Sequence, residues 1–110
     1  MTIIVKTNDP SELLKLIRNA IDDKKVETWL YDSDGDFSHT PAQWKYKAWL
    51  RPKIYAGELR LGIIKQKDVD LSTLYYAVYH GRFIEMLLTH FDKKFSSTLA
   101  TAQKTEPDNF

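Results

Sequence analysis

Trp49-Leu50-Arg51-Pro52-Lys53-Ile54-Tyr55-Ala56-Gly57-Glu58-Leu59-Arg60-Leu61-Gly62-Ile63-Ile64 is the stretch that decides the fold. Two runs of alternating character flank Ala56-Gly57, and glycine accepts the positive φ that a two-residue hairpin turn needs. Such a turn sets Tyr55 opposite Glu58, Ile54 opposite Leu59, Pro52 opposite Leu61 and Leu50 opposite Ile63. Side chains alternate across a strand. One face of the hairpin is therefore Leu50, Pro52, Ile54, Leu59, Leu61 and Ile63, wholly apolar. The other carries Trp49, Arg51, Lys53, Tyr55, Glu58 and Arg60. Pro52 lacks an N–H, so its strand lies at an edge or its nitrogen faces away from the partner. An apolar hairpin face of this size must be covered by other elements.

The flanking sequence supplies the cover. Thr2–Thr7 is β-branched and predicts a first strand. In Asn8-Asp9-Pro10-Ser11-Glu12, Asp9 is placed to cap a helix with Pro10 in its first turn and Glu12 in the capping-box position. Leu13, Leu16, Ile17, Ala20 and Ile21 then recur at helical spacing. Val26–Asp32 and Asp36–Thr40 read as two short strands joined by a tight turn at Asp34-Gly35, and Thr40-Pro41 ends the second. Ala42–Lys47 is a loop or a single turn. Ser72 opens a long helix reaching Phe91. Its apolar face is Tyr76, Tyr79, Phe83, Ile84, Met86, Leu87 and Phe91, with His80 and His90 on the same side. Arg82 and Glu85 mark the opposite side and can pair. Gly81 is costly in mid-helix, and a close backbone approach would account for it. The expected fold class is α+β over residues 1–100: two layers, an antiparallel sheet of four to five strands with two helices packed on one face. Residues 101–110 read as a disordered tail.

Composition narrows the function classes. A chain of 110 residues with 43% hydrophobic content has the makings of one globular domain. No stretch approaches the roughly 18 apolar residues of a membrane span, and no signal peptide opens the chain, so a cytoplasmic location is expected. The absence of cysteine rules out thiolate catalysis, disulfides and sulfur-ligated zinc. Formal charge is near balance at +1, which gives no global field toward nucleic acid or lipid. The charge is nevertheless segregated. Acids dominate from Asp22 to Asp36, and Lys45, Lys47, Arg51, Lys53, Arg60, Lys65 and Lys67 follow. The two patches are suited to face each other in the fold.

Few motifs carry chemistry. Asp32, Asp34 and Asp36 resemble the opening of an EF-hand loop. Counted from Asp32, however, Phe37 and Gln43 stand where that loop needs its glycine and its bidentate glutamate. The three aspartates serve equally as turn formers, and no metal or other cofactor is expected. His80 and His90 lie nearly three turns apart and cannot share one metal ion. No serine sits in a nucleophile elbow and no glycine-rich phosphate loop exists. The phrases YDSDGDF and YHGRFIEMLLTHF have the character of a small bacterial protein and point to no particular family.

The strongest functional pattern is the polar face of the hairpin. Trp49, Arg51, Lys53, Tyr55 and Arg60 are residue types that dominate protein interfaces, with Asp32, Asp34 and Asp36 as an acidic neighbour. The expected function is a protein-interaction or regulatory module, of inhibitor or antitoxin-like kind, that binds an unidentified protein partner and is not an enzyme. A homo-oligomer is compatible with it. Single-stranded nucleic-acid binding by the same face is the first alternative. A metal-dependent hydrolase built from Asp32, Asp34, Asp36, His39 and His80 is the second.

Overall fold

The computed structural model describes residues 1–110. It has an α+β fold with one antiparallel sheet of six strands and two helices. In chain order the elements are β1 (Thr2–Lys6), α1 (Pro10–Asp22), β2 (Trp29–Tyr31), β3 (Phe37–His39), β4 (Ala48–Tyr55), β5 (Glu58–Lys65), α2 (Thr73–Phe91) and β6 (Ser97–Ala100). Across the sheet the strands run β2-β3-β4-β5-β1-β6. No helix is long and apolar enough to cross a membrane.

The β4–β5 hairpin has the expected register, with Tyr55 opposite Glu58, Pro52 opposite Leu61 and Leu50 opposite Ile63. Gly57 takes φ +71° in the turn. Pro52 does not stand on an edge strand. In a ladder closed by Tyr55 and Glu58, the nitrogen of residue 52 points away from β5. It faces the β3 side, where β3 pairs with β4 only at Phe37–Leu50, so the missing donor costs no ladder bond. Asp9 caps α1 by accepting from the Glu12 N–H at 3.0 Å, and Ser72 caps α2 by accepting from Tyr75 at 3.2 Å.

A single hydrophobic cluster gathers the apolar side chains of the sheet and both helices. Ile3, Val5, Leu50, Leu59, Leu61 and Ile63 meet Leu13 and Ile17 of α1 and Phe83 and Leu87 of α2, all buried. Trp29 sets its ring edge-on to Phe83 at 5.0 Å and to Tyr79 at 5.6 Å. Ring pairs in this geometry add to what burial alone contributes.

Six expectations are corrected. The sheet has six strands rather than four to five, because Ser97–Ala100 pairs antiparallel with the open edge of β1. Residues 101–110 are not a free tail: Asp108 accepts from the Ile63 N–H at 2.8 Å, and the Asn109 N–H donates to the Ile63 carbonyl at 2.9 Å. That segment occupies the side of β5 left open where β1 begins. The β2–β3 turn is a three-residue loop, Ser33 to Gly35, rather than two residues. Asp32 and Asp36 still pair through the Asp32 N–H, and Gly35 adopts φ +84°. Ile54 is 42% exposed, not core, since β4 has no neighbour on its β3 side beyond Leu50. Ile21, placed in the same core, is half-buried at the cluster's margin. Finally, nothing lies within 4 Å of a Cβ built on Gly81, so no close approach explains that glycine.

Gly62 does owe its identity to space. A Cβ there would lie 2.5 Å from the Pro107 carbonyl carbon and 2.6 Å from the Asp108 nitrogen, both backbone atoms. Gly62→Ala should therefore displace residues 105–110 and destabilise the fold by about 1–3 kcal/mol. Hydrogen exchange provides the check. The Ile63 and Asn109 amides should lose protection while the Leu59 amide keeps it, and unchanged protection at Ile63 would refute the packing described.

Candidate functional site

The polar face of the hairpin is largely occupied by the protein's own acids. Arg51 holds Asp36 with two hydrogen bonds, Nε to Oδ1 at 3.0 Å and Nη2 to Oδ2 at 2.7 Å. Asp36 is buried and Arg51 half-exposed, so the pair joins the acidic turn to the basic strand. The Asp36 carboxylate raises the Arg51 pKa above its usual value. Arg60 donates to Glu58 at 2.7 Å and to the Glu106 carbonyl at 3.1 Å, and Lys6 also donates to Glu58. Hydrogen bonds from Lys6 and Arg60 hold the Glu58 carboxyl below the ordinary carboxylate range.

What remains free is aromatic with a few cations. Trp49 is half-buried and stacks on Tyr46, with ring centres 6.4 Å apart and planes at 23°. Lys45 lies over the outer ring, its Nζ 5.3 Å from the Tyr46 centre. Tyr55 is flanked by Arg60 at 4.7 Å and Lys53 at 5.4 Å. Lys53 is exposed and has no carboxylate partner. Four of the five residues singled out in the sequence therefore divide into an internally bonded pair, Arg51 and Arg60, and a less committed pair, Trp49 and Lys53. Tyr55 lies between them with its hydroxyl buried and unpartnered.

The aspartates are spent on the turn. Asp32 Oδ1 accepts from the Asp34 and Asp36 N–H groups, each at 3.0 Å. Ligand atoms of Asp32, Asp34 and Asp36 come within 4.8 Å of one another. With Asp32 bonded to backbone and Asp36 to Arg51, only Asp34 is uncommitted, which is a poor donor set for a cation.

His39 and His80 are not brought together with the aspartates into one site. His80 is buried, its Nδ1 2.7 Å from the Tyr76 carbonyl and its Nε2 against the Met1 carbonyl. Burial lowers its pKa, opposed by those two carbonyls. His39 is different. Its Nδ1 lies 2.7 Å from the Thr28 carbonyl. A carbonyl only accepts, so Nδ1 carries the hydrogen and the neutral ring presents a lone pair at Nε2. Burial is the main cause of its lowered pKa, with Arg82 acting the same way and the Thr28 carbonyl and Glu85 against it.

His39 lines a cleft of about 610 Å³ between the chain segments 24–28 and 39–44 and one side of α2. Arg82, Glu85, Met86, Thr89 and His90 face it from the helix. These positions follow the i, i+3, i+7 spacing of one helical face. Reading the sequence missed this cleft. Arg82 and Glu85 stood out only as a surface pair, 3.2 Å apart in the structure, and His90 only as part of an apolar face, whereas it is exposed. Three separated segments build the cleft, and no local spacing announces it. No protein-family model matches the chain, and neither curated proteins nor solved structures offer a match, so the function is read from these residues alone.

Proposed function

We propose that the protein is a binding module that recognises a protein partner through the outer side of β4. We read the fold as two layers, with both helices on the inner face of the sheet, which leaves the outer face for contact. One observation carries this reading: the Tyr46–Trp49 stack stays partly exposed on a face whose guanidinium groups are already neutralised. A purely solvated face has no need of stacked rings, whereas Trp and Tyr anchor protein interfaces. Lys45 over the stack and Lys53 farther along β4 favour an acidic partner segment.

The same observation weighs against single-stranded nucleic acid, the alternative reading. Phosphate contacts need cations whose charge is not already neutralised; Arg51 gives both of its hydrogen bonds to the buried Asp36, and Arg60 is divided between the buried Glu58 and the Glu106 carbonyl. The metal-dependent hydrolase reading has less support, since neither His39 nor His80 joins the three aspartates in one convergent set of ligand atoms.

Affinity capture from cells that express the chain tests the proposal. Trp49→Ala combined with Lys53→Glu should abolish capture of the partner, with melting temperature nearly unchanged, because neither residue belongs to the buried cluster. Capture that survives the double substitution would end the proposal. Binding that instead falls steeply with salt and requires added oligonucleotide would favour the nucleic-acid reading.

A further inference from the structure

We propose that the His39 cleft is a second, independent site that binds a phosphomonoester, its phosphate between His39 Nε2 and Arg82 and its organic group against Trp44. The proposal starts from His39. The residue is 95% buried (5% exposed), yet it borders open space of about 610 Å³, and its Nε2 has no hydrogen-bond partner. A fixed lone pair at the wall of a cleft asks for a ligand that brings a donor hydrogen.

The rim says what kind of ligand. Lys24, Lys25 and Arg82 face the cleft against Glu27 and Glu85, which favours an anion. The anion must also carry a proton. Carboxylates have lost theirs at neutral pH, and so has sulfate. A phosphomonoester, with its second pKa at about 6, keeps a share of its monoanion at neutral pH. One P–OH can then donate to Nε2 while the other oxygens accept from Arg82 and the lysines. If the dianion binds, the same single proton sits on the imidazole instead, so the contact is one shared proton in either form.

Arg82 is available for this role. Its contact with Glu85 joins two side chains that are 58% and 64% exposed, and exposed pairs of this kind hold weakly. A guanidinium can keep one carboxylate contact and still present its remaining N–H groups to phosphate. The size of the cleft excludes phosphate alone as its full occupant. Trp44 and Met86 supply the apolar surface on which a flat organic group can lie. A metal ion is a poorer fit, because the only convergent set of ligand atoms is Asp32, Asp34 and Asp36.

The test is nitrogen-resolved NMR of the full chain labelled with ¹⁵N-histidine, titrated separately with inorganic phosphate, sulfate, adenosine and adenosine 5′-monophosphate. His39 Nε2 should shift saturably with phosphate and with the monophosphate. His80, whose two ring nitrogens are already engaged, should not move. The monophosphate should bind at least about tenfold more tightly than phosphate, and sulfate at least about tenfold more weakly than phosphate, each a difference of about 1.4 kcal/mol. Arg82→Gln, a change on the exposed side of α2, should weaken phosphate binding about tenfold or more, as loss of a charge-assisted contact does. His39 nitrogens that stay unmoved at millimolar phosphate and monophosphate would overturn the proposal. So would sulfate binding as well as phosphate, adenosine binding as well as its monophosphate, or Arg82→Gln binding as the parent does. The β4 substitutions leave this cleft untouched, so the two sites fail or stand separately.

Discussion

Leu61→Ala should destabilise the protein by about 2–5 kcal/mol, the range for truncating a fully buried leucine. Leu61 is completely inaccessible and sits at the centre of the sheet, with Pro52 on one side and Ile3 on the other. It belongs to the one buried cluster that the sheet and both helices build, and a strand paired on two sides leaves little freedom to collapse into the vacated volume. The loss is the transfer term of the removed atoms plus the cavity left behind. Ile54→Ala provides the control within the same hairpin. Ile54 points to the same side by alternation but is 42% exposed, so its truncation should cost less than about 1 kcal/mol. Urea unfolding of both variants measures the pair. Equal losses would show that the distal end of β4 is packed as tightly as its middle, contrary to the structure.

Arg51→Ala should cost about 1–3 kcal/mol, the penalty for leaving a buried polar or charged group without its partner. Asp36 is the group left behind. Its side chain is 6% exposed and both oxygens are taken up by the Arg51 guanidinium. Arg51 itself is 47% exposed, which screens the pair and keeps the figure below that of a fully buried ion pair. The asymmetry is the informative part. Asp36→Ala releases a guanidinium that can return to water, so it should cost less than Arg51→Ala. The double variant Asp36→Ala, Arg51→Ala should recover part of the loss, because no charge is then stranded. A double-mutant cycle by denaturant unfolding reads all three. An Arg51→Ala loss no larger than that of Asp36→Ala would mean that Asp36 finds water or another donor. This pair also explains why Arg51 is unsuited to a binding test: removing it changes the scaffold along with the surface.

The hairpin was readable because two independent signals agreed there. The turn at Ala56-Gly57 fixed the register, and a period of two sorted Leu50, Leu59, Leu61 and Ile63 onto one side. The caps at Asp9 and Ser72 were readable because capping is local. What could not be read was whatever depends on partners far along the chain. Ser97–Ala100 has little strand character of its own, and it is a strand because β1 offers it an unpaired edge. The 105–110 segment is ordered by the gap beside Ile63. Arg51 and Arg60 looked free because a one-dimensional pattern says which face a side chain takes but not which carboxylate waits there. His39 stands close to the aspartates in the sequence, but the cleft it lines is completed by Arg82 and Glu85, which lie more than forty positions away and arrive only through the packing of α2.

The place of β1 has a consequence for how the chain folds. β1 precedes both of its sheet neighbours, β5 and β6, by a long stretch of chain: Ile3 pairs with Leu61 and Ile4 with Leu99. The β4–β5 hairpin closes through two residues and can form as soon as it exists. β1 must wait for that hairpin, and then close a loop of more than fifty residues to reach it, at the entropic cost that slows nonlocal pairings. Until then the apolar residues Ile3 and Val5 stay without cover, and one side of β5 is an open edge. β1 is made well before the strands it pairs with and is seated late, and that interval is when the chain is most exposed to pairing with the wrong partner.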